Sequence, residues 1–215
     1  LMDTPYLSSD PHAGQPVYRL GQPLASARLA LVLLHGRGSG AADILALGQA
    51  LDLPDAALIA PEAAHGTWYP RPFTAPVEEN EPWLSSALNG ISRLLSELAE
   101  AGFGPERVGL LGFSQGACLA LEYAARYPQR FVGVFGLSGA LIGNPANPMP
   151  EEPLLAGTPV LLSSAERDPY IPAGRVQQSA EVFRRLGADV TELIFPGASH
   201  SVPEAALEYV RERLG

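Results

Sequence analysis

Lysine is absent from this chain: all 14 basic residues are arginine. That excludes a Schiff-base lysine, a Ser–Lys pair and the lysine of a phosphate-binding P-loop. Cysteine is almost absent as well, with Cys118 alone. An internal disulfide and a cysteine-ligated zinc or iron–sulfur centre are therefore ruled out, and Cys118 is expected to be a small buried residue. Histidine is scarce, with four residues, His12, His35, His65 and His200, so few imidazole bases are available. Positive charge is outweighed by 23 acidic residues, for a net charge of −9 at pH 7. Nucleic acid and anionic membrane surfaces both demand basic patches, so neither is an expected partner. No apolar run approaches the roughly 20 residues of a membrane span, and no stable membrane insertion is expected. The first residues lack the basic and apolar regions of a secretory signal, so a cytoplasmic location is expected.

What is present is a globular composition, 47% hydrophobic and 17% charged over 215 residues. That length suits one domain spanning 1–215, with a core over about 29–215 and an irregular N-terminal segment over 1–16. Residues 17–20, 29–34, 57–60, 108–111, 131–137, 160–163 and 190–195 read as strands. Residues 29–34, Leu-Ala-Leu-Val-Leu-Leu, are apolar throughout, as a strand covered on both faces should be. Helices are expected over 41–51, 83–101, 117–127, 173–186 and 203–214. In 83–101 the apolar residues Leu84, Leu88, Ile91, Leu94, Leu95 and Leu98 recur near a period of 3.6. This alternation predicts an α/β fold with a mostly parallel sheet flanked by helices. Two stretches, 67–82 and 143–153, carry four prolines each and are expected to be long loops.

The chemistry starts at Gly112-Phe113-Ser114-Gln115-Gly116, between a strand and a helix. G-x-S-x-G in that context is a nucleophile elbow: the serine sits on a sharp turn, and the following helix aims free amides at a developing oxyanion. A serine hydroxyl needs a base, and the base needs an orienting acid. In α/β-hydrolases these follow in the order serine, acid, histidine. His200 is the only histidine after Ser114, and it follows the last strand. After the strand 160–163 come Glu166 and Asp168, of which Asp168 is favoured because Pro169 stiffens its loop. Both loops leave the carboxyl edge of the sheet, where Ser114 also emerges. Of two oxyanion donors, one is expected from the amide of Gln115. The other should come from the glycine-rich loop His35-Gly36-Arg37-Gly38-Ser39-Gly40, in which His35 is read as holding the loop by hydrogen bonds.

Taken in order, His35-Gly36-Arg37-Gly38, Gly112 to Ala117, Asp168-Pro169-Tyr170-Ile171-Pro172 and Ser199-His200 resemble the phospholipase/carboxylesterase family of α/β-hydrolases. The likeness runs from about residue 29 to the C-terminus. It implies Ser114 as nucleophile, Asp168 as acid, His200 as base, and the amides of Arg37 and Gln115 as oxyanion donors. It also implies a single-domain α/β-hydrolase with little or no cap, no metal and no organic cofactor. The acyl-protein thioesterase branch of that family commonly has leucine at the position of Arg37. An arginine there places a cation near the acyl oxygen or the pocket mouth, and the stretch 67–83 looks more like the bacterial carboxylesterase branch.

The expected activity is thus hydrolysis of short- to medium-chain carboxylic esters, with a small-molecule ester as partner. Lysophospholipase or acyl-thioesterase activity and dienelactone-type hydrolysis are the enzymatic alternatives. Arg37 binding a substrate carboxylate would favour the latter, and serine in place of its usual cysteine counts against it. A hydrolase scaffold that only binds is the non-enzymatic alternative. Trp68, Tyr69, Phe73 and Ile171 are pocket candidates, although the aromatics of 67–82 could equally anchor a long loop. An apolar face on the proline-rich loops could support a homodimer.

Overall fold

The computed structural model describes residues 9–144 and 152–215. Residues 1–8 of the expected N-terminal segment and 145–151 of the second proline-rich stretch lie outside the described residues. All strands join one sheet: β1 (Val17–Gly21), β2 (Leu29–Leu34), β3 (Ala56–Pro61), β4 (Val108–Phe113), β5 (Gly133–Leu137), β6 (Pro159–Ala165) and β7 (Asp189–Phe195). Their spatial order is β1-β3-β2-β4-β5-β6-β7. Every neighbouring pair is parallel except β1 and β3, so the weak first strand is an antiparallel edge, exposed along its whole length.

The continuous apolar run of β2 is explained by its central place, between β3 and β4 and covered on both faces. Its side chains alternate: Ala30, Val32 and Leu34 enter one core, while Leu29, Leu31 and Leu33 enter the other. The first core lies under α2 (Trp83–Glu100), α3 (Gln115–Arg126) and α4 (Ala173–Arg185). The second lies under α1 (Ala41–Ala50) and α5 (Glu204–Leu214). Helix α2 buries Leu84, Leu88, Ile91, Leu94 and Leu98 of the stripe that its periodicity predicts, and leaves Leu95 half-buried at its margin. It stops where Gly102 takes φ +90° and the Phe103 amide bonds back to Leu98.

Chain direction through this sheet decides where a site can form. From β2 the chain passes through α1 to β3 on one side, then crosses by α2 to β4 on the other. The loops after β2 and β4 therefore leave neighbouring strands in opposite senses and open a crevice at the carboxyl edge. The loop between β3 and α2, which includes the proline-rich stretch 67–82, contains only short 3₁₀ turns, at Ala64–Gly66 and Val77–Asn80. Among the described residues no helix is long and apolar enough to cross a membrane.

Candidate active site

Ser114 sits at the end of β4 with φ +55° and ψ −118°, as the residue that caps α3. Expected from residue 117, the helix in fact begins at Gln115, directly behind the serine. The two flanking glycines have a steric reason. A Cβ on Gly112 would lie 2.1 Å from the Gly116 carbonyl oxygen, and one on Gly116 would lie 2.0 Å from that of Leu34. Backbone thus occupies the space of both side chains, and only glycine lets the strand turn back so tightly.

The serine hydroxyl lies 2.7 Å from Nε2 of His200, and His200 Nδ1 lies 2.8 Å from Oδ2 of Asp168. Since Nδ1 can only donate to a carboxylate, Nε2 is left to accept the Ser114 proton. Asp168 is itself held: its Oδ1 accepts the amides of Tyr170 (2.8 Å) and Ile171 (3.0 Å). Its side chain is buried, whereas that of His200 keeps 17% of its surface. Glu166, the other candidate acid, is exposed and does not reach the imidazole. Three interactions at or beside His200 had no signal in the sequence. The Phe113 and Tyr170 rings lie 5.1 and 5.0 Å from the imidazole, and Ser138, itself at φ +56°, donates its hydroxyl to the carbonyl of Ser201.

The glycine-rich loop after β2 abuts the elbow: a Cβ on Gly36 would touch the Phe113 carbonyl oxygen and Ser114 Cβ at 3.5 Å. His35 holds this loop from within. Its Nδ1–H donates to the Gly36 carbonyl (2.8 Å), and its Nε2 accepts the Ala63 amide (3.1 Å). Among the described residues, the amides of Arg37 and Gln115 donate to no protein acceptor. They remain available to an oxyanion.

The side chains of these two residues do something the sequence did not signal. Gln115 accepts the Trp68 amide at Oε1 (2.8 Å) and donates Nε2 to the Tyr69 carbonyl (2.8 Å). Arg37 donates to the carbonyls of Tyr69 (2.9 Å), Pro70 (3.1 Å) and Arg71 (3.0 Å). The Arg37 guanidinium, expected near the acyl oxygen or the pocket mouth, clamps the loop after β3, its donors turned to three carbonyl oxygens. Replacing Arg37 with leucine is expected to slow hydrolysis of all esters together. The preference between neutral and carboxylate-bearing acyl groups should change by less than about twofold, as steady-state assays on paired substrates would read.

Of the pocket candidates, Trp68 lies in the core, its indole donating to the His35 carbonyl and its ring against His12 and His35. Tyr69 is buried against Cys118, and burial pushes its phenol well above the usual range and the Cys118 thiol up to about 11. Cys118 is thus a protonated, inert core residue at neutral pH. Phe73 lies under the Arg175 guanidinium, 5.1 Å away, and its carbonyl accepts the Gly143 amide. Ile171 is buried beside Asp168. None of the four is among the ring contacts of His200. A cavity of about 690 Å³ opens beside Thr74, Val77 and Arg175, and neither Ser114 nor His200 lines it.

His12 is buried behind the same loop. Burial is the largest influence and pulls its imidazole below the ordinary 6.5; His35 adds to this, while the carbonyls of Trp68 and Trp83 and the charge of Asp10 oppose it. The unfolded chain therefore takes up a proton near 6.5 that the folded chain refuses. Folding stability contributed here is present above that pH and is lost as pH falls below it. Thermal unfolding between pH 7.5 and 5.5 should show a fall in Tm that is smaller in His12→Gln, which cannot titrate.

Among the described residues no group of three or more acidic, histidine or cysteine side chains could hold a metal ion. A sequence model of the family described as phospholipase/carboxylesterase matches residues 21–215. The chain is 36% identical over 114 residues to an acyl-protein thioesterase 1 of Gibberella zeae, covering 52% of this chain and 48% of that protein. It spans about half the length of the first curated relatives that it matches. Among solved structures, a phospholipase/carboxylesterase from Dyadobacter fermentans superposes with a TM-score of 0.88 at 35% identity, over 94% of this chain and 96% of that one. Esterase PE8 superposes with a TM-score of 0.75 at 27% identity, over 93% and 96%.

Proposed function

The chain belongs to the phospholipase/carboxylesterase family, and from that premise we propose that it is a serine hydrolase that cleaves short- to medium-chain carboxylic esters. The observation that carries this reading is the unbroken relay from Ser114 Oγ through His200 to Asp168, at 2.7 and 2.8 Å. In this reading Ser114 attacks the ester carbonyl carbon as its proton passes to His200 Nε2. The tetrahedral oxyanion is stabilised by the amides of Arg37 and Gln115, preorganised donors that need no reorientation as charge develops. The imidazolium then protonates the departing alkoxide, and the C–O bond to the alcohol breaks. Water, losing its proton to the same imidazole, attacks the acyl-enzyme and restores Ser114. Asp168 stays ionised throughout and holds the tautomer. No bound cofactor is required for any step.

The preference for small acyl groups is supported by the small single-domain build: among the described residues no helical insertion beyond the helices that flank the sheet is present to enclose a long acyl chain. A thioester would pass through the same oxyanion, and a thioesterase among the relatives favours testing it. The deciding experiment is steady-state hydrolysis of p-nitrophenyl esters from acetate to palmitate, with an acyl-thioester series in parallel and fluorophosphonate labelling of the protein. Activity peaking at short esters, with covalent labelling at Ser114, is the expected result. A thioester preference would move the assignment to an acyl-thioesterase. An unlabelled and inactive protein would leave a hydrolase scaffold that only binds.

A further inference from the structure

His12 lies upstream of the family match, which begins at residue 21, yet it is only 7% exposed and is built into the wall behind the site. Its Nδ1 accepts the Ala64 amide (3.1 Å), which leaves Nε2 to donate to the Trp68 carbonyl (2.9 Å). Its own amide donates to Ser86 Oγ on α2 (2.9 Å), and Ser86 in turn donates to Asp10. The ring packs edge-on against Trp83 and tilted against Trp68, with centroids 5.3 and 5.5 Å away. One imidazole thereby spans residues 64–68 and ties that segment to α2.

Segment 64–68 in turn bonds to residues on either side of Arg37 and to the side chain of Gln115. The Gly66 carbonyl accepts the amide of Gly38, next to Arg37. The Trp68 indole donates to the His35 carbonyl, and the Trp68 amide donates to the Gln115 side chain. The adjoining Tyr69 carbonyl also accepts from the side chains of Arg37 and Gln115, so the segment that His12 holds is continuous with the part of the loop that both donors' side chains bind. We propose that His12 is a positioning residue for the oxyanion hole: its two ring hydrogen bonds set the place of residues 64–68, and through them the relative placement of the Arg37 and Gln115 amides. This rests on the ester-hydrolase reading above. An apolar ring of similar size would fill the same space but leave the buried Ala64 amide and Trp68 carbonyl without partners, and the segment would shift to recover them.

The test compares wild type, His12→Phe and His12→Gln on p-nitrophenyl butyrate. Active sites are counted by fluorophosphonate titration, and an alkyl trifluoromethyl ketone serves as a probe that forms a tetrahedral oxyanion adduct. In His12→Phe, kcat per titrated site should fall by about ten- to a hundredfold, as expected for ångström-scale misplacement of catalytic groups, with KM within about twofold. The inhibition constant of the ketone should rise by the same factor as kcat/KM falls. His12→Gln, whose amide keeps a donor and an acceptor, should recover most of the loss. Unchanged kcat per site and ketone affinity in His12→Phe, with only a lower Tm, would overturn the proposal and leave His12 a packing residue. Should His12→Phe fail to fold, His12→Asn, too short to reach both partners, takes its place, and wild-type kcat per site then overturns the proposal. A wild-type protein that neither labels nor hydrolyses would instead remove the ester-hydrolase reading itself.

Discussion

Ser114→Ala is expected to lower kcat on p-nitrophenyl butyrate by roughly 10⁵- to 10⁶-fold, leaving the modest residual rate that substrate binding and the oxyanion amides supply by themselves. The reason is geometric. Among the described residues Ser114 holds the only hydroxyl bonded to His200 Nε2, and the elbow offers no second nucleophile in its place. Cys118, one turn along α3, is buried, with its thiol pushed up to about 11. Fold loss is separable from loss of chemistry here. Alanine keeps the φ +55° strain of the elbow, so Tm should barely change, whereas Ser114→Gly relieves it and should stabilise by about 1 kcal/mol while remaining equally inactive. Turnover within tenfold of wild type in Ser114→Ala would dismiss the nucleophile assignment.

Asp168→Asn carries the second largest expected effect, about 10⁴-fold in kcat, equivalent to roughly 5.5 kcal/mol of transition-state stabilisation. Asparagine can still accept the Tyr170 and Ile171 amides through Oδ1, so the loop should keep its shape. What changes is the atom facing His200 Nδ1. An amide NH₂ there would donate into the imidazole, forcing the hydrogen onto Nε2, where it faces the serine and cannot accept its proton. The loss should therefore appear in kcat with KM little changed. Glu166→Gln is the matched control: this exposed side chain does not reach His200, and activity should stay at the wild-type level. A large loss in Glu166→Gln with little in Asp168→Asn would exchange their roles.

Much of the site's placement was legible because its elements are local or periodic. The alternation of strands and helices, the apolar run of β2 and the stripe on α2 follow from burial on two faces or one. The elbow is legible for a similar reason: two backbone segments meet at Gly112 and Gly116, and no side chain fits. Order along the chain also carries information in a parallel sheet. Residues just after successive strands emerge at one edge, so Ser114, Asp168 and His200 could be expected together before any coordinates. Small departures occur at element ends, as at α3, which starts at the residue after the serine because the strained serine is itself its cap.

The sequence alone thus determined the sheet-and-helix architecture, the elbow, and which loops share the carboxyl edge, because each depends on neighbours a few residues apart or on strand order. Only the tertiary structure decided what the polar and aromatic side chains around that edge do. Arg37, expected near the acyl oxygen or the pocket mouth, donates to carbonyls 32 to 34 residues away. Trp68 turns inward to two histidines, Gln115 secures a loop with its side chain while its amide stays free, and His12 joins a helix to that loop across 52 to 74 residues. A buried polar side chain is oriented by whichever unpaired backbone groups packing brings within about 3 Å, and that choice leaves no periodic trace in the order of residues.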